Sequence, residues 1–437
     1  MVMRSTSALG IVVSASALYA GSPSITTLVL EGDSVAGVGN VTSIDNLAIN
    51  NNGTWFVEAD TNGADTNTDG VLLLNNALYI REGTAGYLEG PMDAVVDSFD
   101  SVTLNNLDNG GFNFFIDTFP TNEDSGIYFK TELSVQESDI ATAPGFSAGT
   151  PYIGFFDVKI NDNNRLMSVA SIDDPGIDSS VDRAIVIIDH ASGIQTLVAK
   201  EGDILPGQTE AVADFGTSVH QSAFNNNDDV FYFADLAGDT TTDGALYLNT
   251  TLIAQEGSAS PDAGRNYETL SSRGLDLNDN GDVAFKANLT GDTADDECII
   301  VNNTIFMQEG GTLPAISGFN FTSFGTGSGP VDLDNAGNLL WFGDWDDPNT
   351  DIDTGLFLND MLLVQEGVTM INGLLVDTIS SGDDAFAISD NGRWIMFEAT
   401  LVGGINGAFL IEVPTPATTT MVMMLATGVF ARRRRGT

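Results

Sequence analysis

Cysteine is all but missing from this 437-residue chain. Cys298 stands alone, so no internal disulfide can staple the fold. Its setting in CIIVNN reads as a small buried hydrophobe on a strand. Histidine is nearly as scarce, with only His190 and His220, and this all but excludes a zinc site of the usual ligands. Positive charge is the third shortage: 15 Lys and Arg face 61 Asp and Glu, a formal net charge of −46. Five of the 15, Arg4 and Arg432 to Arg435, lie in terminal segments, which leaves ten for the body. Such a body makes a poor partner for nucleic acid or an anionic membrane surface. Divalent cations, cationic surfaces and neutral glycans remain, and the same acidity also serves the solubility of an exported protein. Long amphipathic helical patterns are lacking, as are a nucleophile-elbow serine, a P-loop and a dinucleotide fingerprint.

What is present is β-forming. The chain holds 47 Gly, 25 Phe and 42% hydrophobic residues, enough for a large core, and short alternating apolar runs abound.

The two ends read as addresses. Residues 1–20 combine Arg4, a short apolar stretch from Ala8 to Val13 and the small-x-small site Ala15-Ser16-Ala17, the pattern of a secretory signal peptide. Cleavage after Ala20 also fits. Residues 414–437 open with Pro414-Thr415-Pro416, continue uncharged from Ala417 to Ala431 and end in Arg432, Arg433, Arg434 and Arg435. An apolar segment followed by a basic block keeps the block on the cytoplasmic side. This tail resembles the PEP-CTERM sorting signal of bacteria, with Thr415 where that signal has Glu. The resemblance implies an exported protein, an exosortase-type processing enzyme as partner, and contact with the membrane through this segment alone. A plain C-terminal membrane anchor is the alternative.

Between the ends the chain repeats. Strand-like runs close on Glu31, Glu82, Glu137, Glu201, Glu256, Glu309 and Glu366, at steps of 51, 55, 64, 55, 53 and 57 residues. Each unit begins with an apolar-x-apolar strand and a polar turn, as in LAINNNG, LDLNDNG and FAISDNG. A second strand follows, then a loop of Asp, Thr and Gly. A third and fourth strand come last, joined by two residues such as Asn-Asn or Asn-Thr, which suit primed hairpin turns. Four antiparallel strands per unit of about 55 residues is the sequence form of a propeller blade. The expected fold is therefore all-β: a seven-bladed β-propeller over residues 24–413. The orphan strand ITTLVLEG near the start should complete the last blade and hide a sheet edge. An open β-solenoid is the runner-up.

The turn pattern Asn-x-x-Gly-x-x-x-Phe is similar to that of exported bacterial tandem-repeat proteins with varied C-terminal anchors. Asn278, Gly281 and Phe285 carry it in full; Asn50, Gly53 and Phe56 carry it with one residue fewer. Asp334, Gly337 and Trp341 match with substitutions, and Asp108, Gly111 and Phe115 align with it in the second unit. The resemblance implies a surface location and a repeat fold.

Chemistry is harder to place. In DTNTDG, Asp65, Asn67 and Asp69 offer alternate oxygens and Gly70 a bend, as at the opening of a calcium loop. The closing acid is missing: the ninth position is Leu73 and the twelfth Asn76. Asp239 and Asp243 in DTTTDG repeat the pattern more weakly. Calcium is the single cofactor these loops point to, and solvated turns are the alternative. The recurring Glu reads as an acceptor for backbone N–H groups at strand ends, because a catalytic set should break the symmetry. His190 reads as part of a solvent-exposed turn and His220 as a buried imidazole on a first strand. No catalytic residue is assigned.

The function expected is that of an exported cell-surface or matrix protein, non-catalytic, binding or building with extracellular polysaccharide or envelope components. The alternatives are a polysaccharide-active hydrolase or lyase and a calcium-stabilised adhesion module. An enzyme calls for a deep, asymmetric axial pocket of acids with raised pKa values. A binding module calls for exposed aromatics, with Trp345 the candidate.

Overall fold

The computed structural model describes residues 24–63, 65–89, 94–117, 120–177, 182–216, 221–325, 330–382 and 384–413. Residues 1–20, read above as a signal peptide, the tail with Pro414, Pro416 and Arg432 to Arg435, and His220 lie outside these residues. The strands form seven antiparallel sheets arranged in chain order, each one blade. Blade 2 shows the plan: Val96–Leu104, Gly110–Ile116, Ser125–Phe129 and Glu132–Gln136, each paired with the next. Second and third strands are buried on both faces, because each blade packs against two neighbours. One apolar cluster joins Phe56, Leu72 and Ile80 of blade 1 to Phe112, Phe114 and Tyr128 of blade 2. Another joins Ile185 and Ile187 of blade 3 to Tyr232 and Tyr247 of blade 4. Cys298 is fully buried, its Sγ 3.4 Å from Ala287 O, as the sequence suggests.

The ring closes as the repeat requires. Ser24–Leu30 pairs antiparallel with Ile405–Glu412, Ser24 opposite Glu412 and Leu30 opposite Gly407. The strand nearest the N-terminus is thus the outer strand of blade 7. Two-residue hairpins follow the Asn chemistry: Asn75 and Asn76, and Asn302 and Asn303, all have positive φ.

One feature departs from the sequence reading. Blades 1 to 3 have a continuous inner strand, Gly39–Ile49, Val96–Leu104 and Tyr152–Ile160. In blades 4 to 7 the inner strand is in two pieces: Val212–Asp214 and Ser222–Phe224, Tyr267–Leu270 and Asp276–Leu277, Phe321–Ser323 and Val331–Leu333, Leu374–Ile379 and Phe386–Ile388. The blade 5 break takes in Ser271, Ser272 and Gly274 and the blade 7 break Ser380, Ser381 and Gly382, where Gly and Ser favour turns over ladder bonds. The single first strand that the repeat assigns to each unit is therefore two pieces in these four blades.

Candidate functional site at the propeller axis

The polar turn after each inner strand is the local origin of the axis. The first Asn folds onto its own backbone: Asn50 Oδ1 accepts from Asn52 N at 3.0 Å and Thr54 N at 3.1 Å. Its free amide then reaches the next blade. Asn50 Nδ2 donates to Asn105 O at 2.9 Å, Asn105 to Asn161 O at 2.8 Å and Asn161 to Asn225 O at 3.1 Å. Asn225 donates to Asn278 O at 3.0 Å and Asn278 to Asp334 O at 3.0 Å. The fourth position needs positive φ, met by Gly53, Gly281, Gly337 and Gly392 and, where Gly is lost, by Asp108, Asn164 and Asp228. Those three replacements add a bond from the preceding blade, Asn50 Nδ2 to Asp108 Oδ1 at 2.7 Å for example. Blade 2 therefore aligns on Asn105, Asp108 and Phe112, three residues earlier than the alignment on Asp108, Gly111 and Phe115.

The second position of the turn builds a side-chain ring. Asn106 Nδ2 donates to Asp162 Oδ2 at 3.0 Å and to Asp390 Oδ2 at 2.7 Å. Asn226 Nδ2 donates to Asp162 at 3.1 Å and Asp279 at 3.0 Å, and Asn335 Nδ2 to Asp279 at 2.7 Å. Asn335 N closes the circuit on Asp390 O at 2.7 Å. Alternation gives each amide acceptors and each carboxylate donors, but seven is odd. Asn51 drops out and pairs instead with Asn391 at the junction of blades 7 and 1. Burial pushes Asp390 up to about 6, against the lowering bond from Asn106, and Asp279, Asp162 and Asp276 add to the rise.

Inward from this ring the inner strands carry acids whose first task is also structural. An inner strand has an unpaired edge toward the axis. Ser101 Oγ accepts from Val158 N at 3.2 Å, and Asp157 Oδ2 from Ser222 N at 3.0 Å and Ser222 Oγ at 2.6 Å. Asp276 Oδ2 accepts from Leu333 N at 2.5 Å, and Asp332 Oδ2 from Ile388 N at 2.7 Å. In each case the acceptor belongs to the preceding blade. Asp157 is fully buried, sits at φ 47° on a bulge between Phe156 and Lys159, and holds Lys159 Nζ at 3.1 Å. Burial opposes the Lys159 charge, yet Asp157, Asp384 and Asp276 hold its pKa above the usual lysine value. Asp332 is pushed well above the carboxylate range by burial and by the charge and hydrogen bond of Asp276. Asp276 and Asp332 both line two axial cavities, of about 130 Å³ beside the Asn/Asp ring and about 150 Å³ beside Lys159. Near the same axis, burial raises Asp100 to about 6 and Glu58 to about 8.

The repeated glutamates lie at the other end of the strands, where they bond backbone groups of their own blade and, at Glu256, of the next one as well. Glu82 Oε2 accepts from Gly70 N at 3.0 Å; Glu256 accepts from Gly244 N at 3.2 Å and Leu270 N at 2.9 Å. Glu366 takes the Thr354 hydroxyl. The acidic loops adjoin them. Asp65 Oδ1 accepts from Asn67 N at 3.2 Å, and Asp239 Oδ1 from Thr241 N at 3.1 Å and its hydroxyl at 2.9 Å. The carbonyl of Asp69 takes Thr61 N, and that of Asp243 takes Leu236 N. Among the described residues no three His, Cys, Asp or Glu side chains gather as a metal-holding group. A calcium ion at this loop needs Asn67, carbonyl oxygens or water to complete its shell.

Two sequence expectations are corrected here. His190 is no loose turn. Its Nδ1 meets Ser134 Oγ at 2.8 Å, its Nε2 meets Glu132 Oε2 at 3.1 Å, and its ring stacks on Phe129 with centroids 4.6 Å apart. These partners lie in blade 2, so the longer blade 3 hairpin clasps its neighbour. Trp345 is 2% exposed and packs on Phe321 and Phe357, so it offers no binding platform.

Fold and axis together define a seven-bladed β-propeller protein. The sequence places it further: residues 5–250 match the model described as "Family of unknown function (DUF7453)", and the chain belongs to that family. No curated protein matches it. Among solved structures it is similar to PorZ, an essential surface component of the type-IX secretion system of Porphyromonas gingivalis. That likeness has 13% identity and a TM-score of 0.42, and covers 88% of this chain and 48% of that one. It is also similar to an oligogalacturonate lyase from Vibrio parahaemolyticus (11% identity, 90% and 99% covered, TM-score 0.45) and to the Trypanosoma rangeli sialidase (9% identity, 90% and 59% covered, TM-score 0.37).

Proposed function

We propose that this is an exported propeller of the cell surface or extracellular matrix that binds or builds there without catalysis. One observation carries the reading. The recurring acids bond backbone N–H groups, as Asp276 does with Leu333 N and Glu82 with Gly70 N, so they serve the ring before any substrate. The acid pair at the axis, Asp276 and Asp332, is flanked by cavities of about 130 and 150 Å³, well below the roughly 300–1,000 Å³ of small-molecule sites. Export rests on the signal-like residues 1–20 and on Pro414, Pro416 and Arg432 to Arg435, with an exosortase-type enzyme as the processing partner. Extracellular polysaccharide or envelope components are the partners this reading names.

The experiment is fractionation of a host that makes the full chain and an exosortase, with the mass of the mature protein. Expected is protein outside the inner membrane, lacking the first 20 or so residues and the arginine tail. Retention in the cytosol with both ends intact overturns the reading.

A further inference from the structure

The exposed apolar side chains are not scattered evenly over the blades. Among the described residues eleven large hydrophobics stand exposed, and five of them gather on blade 7 or on the turn that leads into it: Val368, Met370, Leu374, Leu375 and Val402, at 37 to 62%. Single exposed hydrophobics need no explanation, but a contiguous group marks a contact surface.

The local fold makes this group contiguous. Met370–Ile371 and Leu374–Ile379 form a hairpin across Asn372 and Gly373, both at positive φ. Met370 lies opposite Leu375 in that hairpin, and Val402 N donates to Leu375 O at 2.9 Å. Residues directly opposite on an antiparallel ladder share a face, so Met370, Leu375 and Val402 make one row across three strands, with Val368 two residues from Met370. The other face turns inward, where Ile371 and Val376 are buried. Asn372 Nδ2 donates to Thr27 Oγ1 at 2.7 Å and pins the hairpin tip to the outer strand of the blade. The row is thus held in place before any partner arrives, and Met370–Ile371 lies at the edge of its sheet.

We propose that this row is the contact face of a twofold dimer, with the same face of a second copy of the chain as its partner. Charge argues for a copy. Residues 367–376 and 399–411 hold no charged side chain in a chain of net charge −46, so two copies can meet here without setting carboxylate against carboxylate at the centre. A basic partner would find nothing to pair with in the row. A sugar would find no ring to lie on, since none of the five side chains is aromatic. A membrane surface would meet Glu366 and Asp377 flanking the hairpin, not the Lys, Arg, Trp or Tyr that seat a protein among head groups. An aliphatic row packed on its own image meets the rule of an isologous contact, in which one patch serves both subunits.

The dimer goes beyond the binding reading above and does not depend on it. The test is sedimentation velocity of the full chain over a range of concentrations. Expected is a monomer–dimer equilibrium, with Leu375→Glu and Met370→Glu each weakening the dimer about tenfold or more. Both side chains are exposed in the monomer, so its melting temperature should not change. Should Leu375→Glu fail to fold, Val402→Glu, on another strand of the row, decides in its place. A wild-type chain that stays monomeric throughout overturns the proposal. So does a dimer that persists undiminished in the variants, which puts the contact elsewhere, the segment 414–437 included. Flotation with phosphatidylcholine vesicles checks the lipid alternative: recovery of the wild type but not of Leu375→Glu with the vesicles assigns the row to a membrane and overturns the dimer.

Discussion

Asn106 and Asp390 lie 284 residues apart, yet the amide of one donates to the carboxylate of the other at 2.7 Å. The contact ties blade 2 to blade 7 across the axis, with blade 1 bypassed. Asn106→Asp removes the donor and sets a third carboxylate between Asp162 and Asp390. An uncompensated charge in such a network costs about 3–5 kcal/mol. The urea midpoint should fall accordingly, while Asp390→Asn, which keeps an acceptor, should change it little.

Asp108 holds the fourth turn position at φ 60° and accepts from Asn50 Nδ2. Asp108→Gly loses the bond but not the backbone freedom, and should cost about 1–2 kcal/mol. Asp108→Ala adds left-handed strain of about 1–2 kcal/mol more. Equal losses in chemical denaturation would sink this account.

The strand-end glutamates give the protein an acid-leaning stability. Burial is the first cause that raises Glu82, Glu137, Glu201 and Glu309 to about 7, from an ordinary 4.5. A folded carboxyl above its unfolded value binds the proton more tightly, so its contribution is full below about 4.5 and is lost as pH rises through about 7. Asp108, Asp174 and Asp189 are lowered and act oppositely, their contribution lost as pH falls below 3.8. The melting temperature should therefore be higher near pH 5 than at pH 8. A flat profile over that window contradicts the assignment.

Removing residues 24–30 exposes the edge of Ile405–Glu412. The shortened chain should aggregate or melt early, and a synthetic peptide of the missing strand should restore it in trans. A truncated chain that stays monomeric with an unchanged melt speaks against closure by this strand.

Calcium at Asp65, Asn67 and Asp69 is tested by melting the protein in EDTA and then in millimolar calcium. The Asp65 carboxylate already serves an Asx turn. The expected gain is below about 1 kcal/mol, the mass-action effect of an ion near its Kd. A rise of many degrees, lost in the Asp65→Ala, Asp69→Ala double variant, establishes a metal site instead.

The sequence by itself determined whatever is local or periodic. Asn and Gly at fixed offsets specify turns, two-residue Asn loops specify hairpins, and the offset of Ser24–Leu30 against its repeat specifies closure. The Glu anchors were legible because Glu82 and Glu256 each bond the strand that begins 12 residues before them, although Glu256 also reaches Leu270 N of the next blade. What only the tertiary structure decided are contacts a whole blade or more apart. The partner of Asn105 is a carbonyl 56 residues on, and that of His190 a serine 56 residues back. The Asn/Asp alternation was visible in the sequence as mere turn chemistry. It becomes a ring only when seven turns meet, where an odd number leaves Asn51 out. Trp345 looked like an exposed aromatic because its sequence neighbours are polar, but it packs on Phe321 and Phe357 from other strands of its blade.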